Sequence, residues 1–151
     1  PTALATPLEE IKASREVSAP IDKVWNIVSD IDNEAKYWSI IKNIKNINKT
    51  DSVTEREVTV QAGPERDAKT QQIVTVNPDQ FAVNMNITEG PVTGSRVLTL
   101  TPENNSTTRV DAVWEIDLSG IPLIGQGFAK GSFQKMTEDA LGNIAAEVEV
   151  K

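Results

Sequence analysis

The sequence predicts an α+β fold in which a curved, seven-stranded antiparallel sheet, with two short helices after its first strand, wraps around a long C-terminal helix. Three observations predict it. Residues 9–17 alternate between the two faces of a half-buried strand. Residues 44–118 contain six further short segments separated by turn residues, as in an antiparallel meander. From about Leu123 onward, apolar residues recur at helical spacing.

Two short helices are predicted between the first strand and the meander. Ser18 and Pro20 provide a capping serine and a proline suited to a helix start, and a helix follows to about residue 30. A second helix covers residues 32–38, because its acidic start complements the positive end of a helix dipole. Trp25, Tyr37 and Trp38 are expected to pack the two helices together.

The meander and the last helix complete the domain. Turn residues such as Gly63-Pro64 separate the predicted strands. No repeat, linker or change in composition divides the chain, so one domain over residues 1–151 is expected. The six strands are predicted at residues 44–49, 53–61, 68–76, 81–88, 95–101 and 107–118. The apolar stripe of the last helix is formed by Ile124, Phe128, Met136, Ala140, Ile144 and Val148.

Composition argues against several classes of function. Fifteen basic and 22 acidic residues give a net charge of −7, which repels phosphate backbones, so no nucleic-acid partner is expected. The chain has no cysteine and no histidine, which excludes disulfides, a cysteine nucleophile and histidine acid–base catalysis. We therefore assign no catalytic residue, metal or cofactor. No stretch approaches the ~18–20 consecutive apolar residues of a membrane-spanning helix, so we expect no integral membrane segment and a cytoplasmic location.

The concave side of the sheet is predicted to hold a ligand cavity, because one helix does not fill all the space inside such a curl. Strand phasing places apolar side chains on that side, and an apolar pocket favours an apolar small-molecule ligand. The alternative interpretation is that these side chains are ordinary core. The apolar residues predicted to bind the ligand are Trp38, Val58, Val83, Met85, Leu98, Trp114, Phe128, Phe133 and Met136.

Three arginines share the phase of these inward residues. Arg15 is in register with Val17, Arg56 with Val58, and Arg96 with Leu98. A buried guanidinium is costly unless it is paired or meets an anion, so the arginines are predicted to bind a carboxylate or phosphate end of the ligand. The alternative is that they reach solvent at strand ends or pair with nearby acidic residues.

The order of the elements and three short motifs carry a resemblance to a known superfamily. The motifs are residues 15–25, where Ala19-Pro20 leads into a helix containing Trp25, residues 30–38, which close on Trp38, and residues 107–110 at the start of the last strand. The chain resembles the START-like superfamily, also called SRPBCC, which includes birch-pollen-allergen-like proteins, polyketide cyclase/dehydrase-like proteins and lipid-transfer domains. The resemblance implies the helix-grip fold. The loop at residues 50–52 lacks the glycines of plant members, so it is not expected to cradle phosphate.

Three functions stay open at this point, because this fold hosts carriers, receptors and enzymes. The first is binding or carrying an apolar small molecule such as a lipid, an isoprenoid or an aromatic polyketide. The second is a polyketide cyclase- or dehydrase-like enzyme, in which Tyr37, Asp30, Asp32 and Arg56 would act on carbonyls. The third is a protein-interaction domain that uses a sheet edge or the long helix.

The start of the last helix is predicted to be the gate of the cavity. Glycines at positions 120, 125, 127 and 131 make this half of the helix the softer one. Phe128 is expected to plug the mouth, which would lie between this segment, residues 90–94 and the loop at Gly63-Pro64. The alternative is that the glycines allow close packing against the sheet.

Overall fold

The computed structural model describes residues 8–149. Its elements follow in the predicted order. The predicted domain ends, residues 1–7 and 150–151, lie outside the described residues. The elements are β1 (Glu9–Val17), α1 (Ile21–Val28), a 3₁₀ segment (Ile31–Lys36), β2 (Ile41–Lys49), β3 (Val53–Gly63), β4 (Arg66–Asn77), a 3₁₀ turn (Pro78–Gln80), β5 (Ala82–Glu89), β6 (Thr93–Asn104), β7 (Thr107–Asp117) and α2 (Leu123–Glu149).

The seven strands form one curved antiparallel sheet in the order β1-β7-β6-β5-β4-β3-β2. Strands β2 to β7 pair with their neighbours in the chain, and β1 pairs with β7. The predicted fold class, a helix-grip arrangement with two short helical segments after β1, is therefore confirmed. No helix within residues 8–149 is long and apolar enough to cross a membrane.

The register of the sheet aligns inward side chains in rows across the strands. One row joins Ile11, Trp114, Arg96, Met85 and Val74 on five successive strands. Because directly paired residues of neighbouring strands point to the same side of the sheet, these five side chains share one face, and the hydrogen bond from Trp114 to Thr137 identifies it as the face that bears α2. The row sets the most important polar and aromatic side chains of the site next to one another.

The two halves of α2 differ in how they pack. Every fully buried residue of this helix lies at or beyond Thr137, and Leu141 and Ile144 are among the largest buried side chains of the core. In the first turns, Leu123, Ile124 and Phe128 are more than 80% exposed (84%, 92% and 82%). The apolar stripe therefore meets the sheet only along the second half of α2, which leaves space under the first half.

Several predicted boundaries are wrong by a few residues. The second helix is a 3₁₀ segment that ends at Lys36, two residues before the predicted end, and it is kinked at Asn33, which leaves helical geometry (φ −106°, ψ 17°). The strands β3 and β4 extend further toward their shared turn than predicted. Their backbone pairing continues to Gly63 and Arg66, although turn residues already appear there in the sequence. Gly94 belongs to β6 and not to a turn: its φ is +143°, and a Cβ there would lie 2.2 Å from the carbonyl oxygen of Glu115.

Candidate ligand-binding site

A cavity of about 800 Å³ lies between the concave face of the sheet and the first half of α2. Its apolar wall comes from strands and helix together, with Val60, Met85 and Ile87 on the sheet and Phe133 and Met136 on α2. The first half of α2 has no fully buried residue, and its apolar side chains such as Phe133 are only partly buried against the sheet, which leaves room for the cavity. Its volume is in the range of small-molecule sites in proteins.

Exposed residues line the cavity at four places of the chain. They lie in the loop before β2 (Ser39), at the β3–β4 turn (Pro64), at the β5–β6 turn (Pro91) and in the first half of α2 (Ser132). Three of these four places belong to the segments that the sequence singles out for the mouth. Ligand uptake by local fraying of α2 stays a prediction.

Three aromatic rings form a continuous part of the wall. Trp114 lies between Trp38 and Phe133 and makes edge-to-face contacts with both, at centroid distances of 6.0 Å and 5.1 Å. Its indole Nε1 donates a hydrogen bond to the Thr137 hydroxyl (2.8 Å), which satisfies the polar atom of a buried tryptophan. The edge-to-face geometry and the hydrogen bond hold Trp114 in a single orientation.

The polar wall is built on a buried cluster of Glu34, Arg56 and Arg96, named here the Arg–Glu–Arg cluster. Glu34 comes from the 3₁₀ segment and is 4% exposed, whereas the arginines come from β3 and β6 and line the cavity. Arg56 Nη2 donates to one carboxylate oxygen of Glu34, and Arg96 Nη2 donates to the other at 2.6 Å. One carboxylate thus joins two distant strands.

The two arginines differ in how completely the protein satisfies them. Arg56 has an acceptor for each nitrogen: Nε donates to Gln72 (3.0 Å), Nη1 to the Ile31 carbonyl (3.0 Å) and Nη2 to Glu34. Within residues 8–149, Arg96 donates only to Glu34, and its buried Nε has no acceptor. Its guanidinium carbon lies 4.5 Å from the ring centroid of Trp38 and 5.7 Å from that of Trp114. Arg96 therefore keeps unused donors beside the aromatic wall.

Glu34 is ionised in the folded protein. Burial alone would raise the pKa of Glu34, but the charges of Arg96 and Arg56 and their hydrogen bonds outweigh it, so this pKa lies below its ordinary value of 4.5. The cluster then holds two positive charges and one negative charge. Its polar wall consequently carries one positive charge in excess.

Acid should weaken the fold through Glu34. Because its pKa is lowered in the folded state, the unfolded chain binds the proton first as the pH falls, so the stabilisation is complete above about pH 4.5 and is lost below it. We expect the free energy of unfolding in urea to differ between the wild type and Glu34→Gln by a constant amount at neutral pH, and by progressively less below about pH 4.5. A difference that persists unchanged into strong acid would contradict an ionised Glu34.

The structure brings seven of the twelve predicted ligand-binding residues together in the cavity wall, and their contact with a ligand stays a prediction. Three others, Val58, Val83 and Leu98, are buried but do not line the cavity. Val83 and Leu98 pair with each other one row beyond Met85 and Arg96, toward the end of the sheet that packs on α1. Val58 sits within the sheet between Ile44 and Thr70. The seven residues in the wall are Trp38, Arg56, Met85, Arg96, Trp114, Phe133 and Met136.

Arg15 and Phe128 were expected at the cavity and are not there. Arg15 belongs to the edge strand β1, is exposed, lies beside Gly142 of α2 and does not line the cavity. Phe128 is 82% exposed and does not line the cavity, so it is not the plug. The helical stripe that predicted its burial does not face the sheet in this half of α2.

Glu34 is the functional residue that sequence reasoning missed. Its position near a predicted helix start is explained equally well by a favourable interaction with the helix dipole. The one hint in the sequence is that two arginines are predicted to point inward, because buried guanidinium groups require a buried carboxylate as partner. The acidic residues proposed for a cyclase reaction lie elsewhere: Asp30 accepts from Asn33, and Asp32 pairs with Lys49 on the surface. Tyr37 also does not line the cavity.

The curved sheet, the long helix and the cavity between them define a START-like, helix-grip protein. The family model described as polyketide cyclase/dehydrase and lipid transport matches residues 9–149. The chain belongs to that family. No curated protein matches the chain.

Solved structures with the same architecture show the likeness of fold. A protein from Thermus thermophilus is 17% identical with a TM-score of 0.81, over 94% of this chain and 98% of that one. The Zhui aromatase/cyclase from Streptomyces sp. R1128 is 13% identical with a TM-score of 0.83, over 94% of both chains. A START superfamily protein from Mycobacterium smegmatis is 15% identical with a TM-score of 0.77, over 93% of this chain and 97% of that one. At such identities the likeness concerns the fold alone.

Proposed function

We propose that this protein binds and carries an apolar small molecule, such as a lipid, an isoprenoid or an aromatic polyketide, in the cavity under the first half of α2. The observation that carries the proposal is a cavity of about 800 Å³ whose wall is apolar and aromatic on most sides. Burial of apolar ligand surface in such a site provides affinity without further chemistry. The family to which the chain belongs includes lipid transport.

An enzymatic role of the cyclase or dehydrase type has less support. The family description and the aromatase/cyclase of similar fold favour it. Among the described residues, however, none that lines the cavity is a free acid or base, and the nearby Glu34 is held by two arginines and does not line the wall. A protein-interaction domain would combine an exposed apolar patch with a filled interior. The exposed side chains Leu123, Ile124 and Phe128 meet the first condition, but the cavity does not meet the second. A cytoplasmic location remains a prediction.

Filling part of the cavity should weaken ligand binding. Ala129 lines the cavity on α2, whereas Ala146 is exposed on the same helix and away from the cavity. We expect Ala129→Trp to weaken binding of the neutral fluorophore Nile red by more than about tenfold, because the indole occupies the ligand's space. Fluorescence titration measures this effect, and dodecanoate or farnesol should displace the dye from the wild type.

The matched control is Ala146→Trp, which should bind Nile red like the wild type. Thermal unfolding of both variants verifies that they fold. Equal dye affinity for Ala129→Trp and Ala146→Trp would place the binding site outside the cavity and overturn the proposal.

A further inference from the structure

We propose that the cavity selects amphipathic monocarboxylates, and that the guanidinium of Arg96 binds their carboxylate. This inference rests on the proposed function and names the ligand class for the same cavity. It follows from three observations: the protein provides acceptors for all nitrogens of Arg56 but not of Arg96, the Arg–Glu–Arg cluster has a net positive charge, and Arg96 lies in the cavity wall.

Arg96, unlike Arg56, has donors to offer to a ligand. The three nitrogens of Arg56 already meet Gln72, Ile31 and Glu34, so this arginine serves the fold. Arg96 lines the cavity at 2% exposure, donates to Glu34 through Nη2 alone, and has a buried Nε with no acceptor in the described part of the chain. The Nε itself is too deeply buried for a ligand to reach, but Nη1 also has no acceptor among the described residues and is not fully buried, so Nη1 is the donor that a ligand carboxylate in the cavity would meet.

The charge of the cluster specifies the charge of the ligand. Two guanidinium groups and one carboxylate leave one positive charge in excess, and a single carboxylate brings the buried site to neutrality. A phosphate dianion would leave one negative charge uncompensated in the interior, which is costly. A carboxylate also fits the planar fork of a guanidinium. The site therefore favours a monocarboxylate over a phosphate ester and over a neutral ligand.

The apolar part of the ligand lies along the wall that starts at Arg96. One face of its guanidinium is covered by Trp38, and Trp114 and Met85 occupy the same cross-strand row on either side. A carboxylate at Arg96 thus extends its apolar body toward Phe133 and Met136 under α2. Both an aliphatic and an aromatic acid satisfy this arrangement, since the wall contains both kinds of side chain.

The test compares ligands that differ only in their polar end. Calorimetric titration of the wild type would use dodecanoate, dodecanamide and dodecyl phosphate, and a second arm would use naphthoate and naphthamide to separate aliphatic from aromatic acids. We expect the preferred acid to bind about tenfold to a hundredfold more tightly than its amide, which is the effect of a charge-assisted hydrogen bond. Dodecyl phosphate should bind more weakly than dodecanoate.

Two variants assign the effect to Arg96. Arg96→Met leaves Glu34 and Arg56 as a balanced pair, and we expect it to abolish the preference for the acid while the amide binds as before. Arg15→Met, which removes an exposed arginine outside the cavity, should keep the full preference. The comparison of acid, amide and phosphate uses the wild type alone, so it stays valid even if a variant does not fold.

Each outcome bears on one of the two proposals. Equal affinity for acid and amide in both arms would overturn the monocarboxylate assignment and leave the carrier function intact. Tighter binding of dodecyl phosphate than of dodecanoate would replace it with a phosphate ligand. Absence of binding by acids and amides alike, with Nile red still bound, would overturn the monocarboxylate assignment; if Nile red also fails to bind, the proposed function is overturned as well.

Discussion

Replacing Glu34 by glutamine is expected to lower the free energy of unfolding by about 3–5 kcal/mol, the usual cost of breaking a buried ion pair by removal of one partner. Two buried guanidinium groups, of Arg56 and Arg96, would then face each other without a counter-charge. The amide oxygen of glutamine still accepts one hydrogen bond, but the negative charge is lost. Urea unfolding at neutral pH, monitored by tryptophan fluorescence, measures the change.

A matched control lies two residues away in the same 3₁₀ segment. Asp32 pairs with Lys49 at 2.9 Å, but the side chain of Asp32 is 46% exposed. Asp32→Asn should therefore cost less than about 1 kcal/mol, as surface ion pairs usually do. If Glu34→Gln and Asp32→Asn destabilise the protein equally, the cluster does not hold the polar wall together.

Addition of dodecanoate should in turn stabilise Glu34→Gln more than it stabilises the wild type, because the ligand supplies the missing negative charge.

Truncating Trp114 to alanine should have the second large effect, about 3–5 kcal/mol of unfolding free energy. The indole is 3% exposed, contacts two aromatic rings and donates a hydrogen bond to Thr137. Its removal enlarges the cavity, so the variant should accept bulkier ligands than the wild type does. Unfolding in urea and titration with a series of fluorophores of increasing size measure the two effects.

Trp25→Ala serves as the comparison for this truncation. Trp25 is half-buried, contacts Phe81 edge to face and does not line the cavity. Its loss should destabilise the protein less and leave the ligand affinity unchanged. A similar change in ligand preference for the two variants would mean that Trp114 does not define the shape of the cavity.

The order of elements and part of the site follow directly from periodicity. A period of two locates the strands and the phase of Arg56 and Arg96 without knowledge of their partners, because alternation is a local property of the strand. For Arg15 the phase does not lead to the cavity, since its position on the edge strand β1 leaves it exposed beside Gly142 in the second half of α2. Phase alone does not reveal how far a neighbouring element extends.

The remaining features depend on contacts between distant segments. Glu34 meets arginines that lie 22 and 62 residues further along the chain, and its local sequence explains it equally well as an acidic residue near a helix start. Phe128 belongs to an apolar stripe, but periodicity does not tell which half of α2 rests on the sheet. A cavity on the concave side follows from the curl of the sheet, but the uneven packing of α2 that shapes it has no signature in the spacing of residues.

Fluorine NMR of the protein labelled with fluorotryptophan tests the central claim most directly. The chain has three tryptophans, of which Trp38 and Trp114 line the cavity and Trp25 does not. Single Trp→Phe variants assign the three resonances. If the cavity binds the ligand, titration with Nile red or dodecanoate should shift the resonances of Trp38 and Trp114 and leave that of Trp25 in place. Unchanged resonances of Trp38 and Trp114 at saturating ligand, or a shift of Trp25 alone, would contradict it.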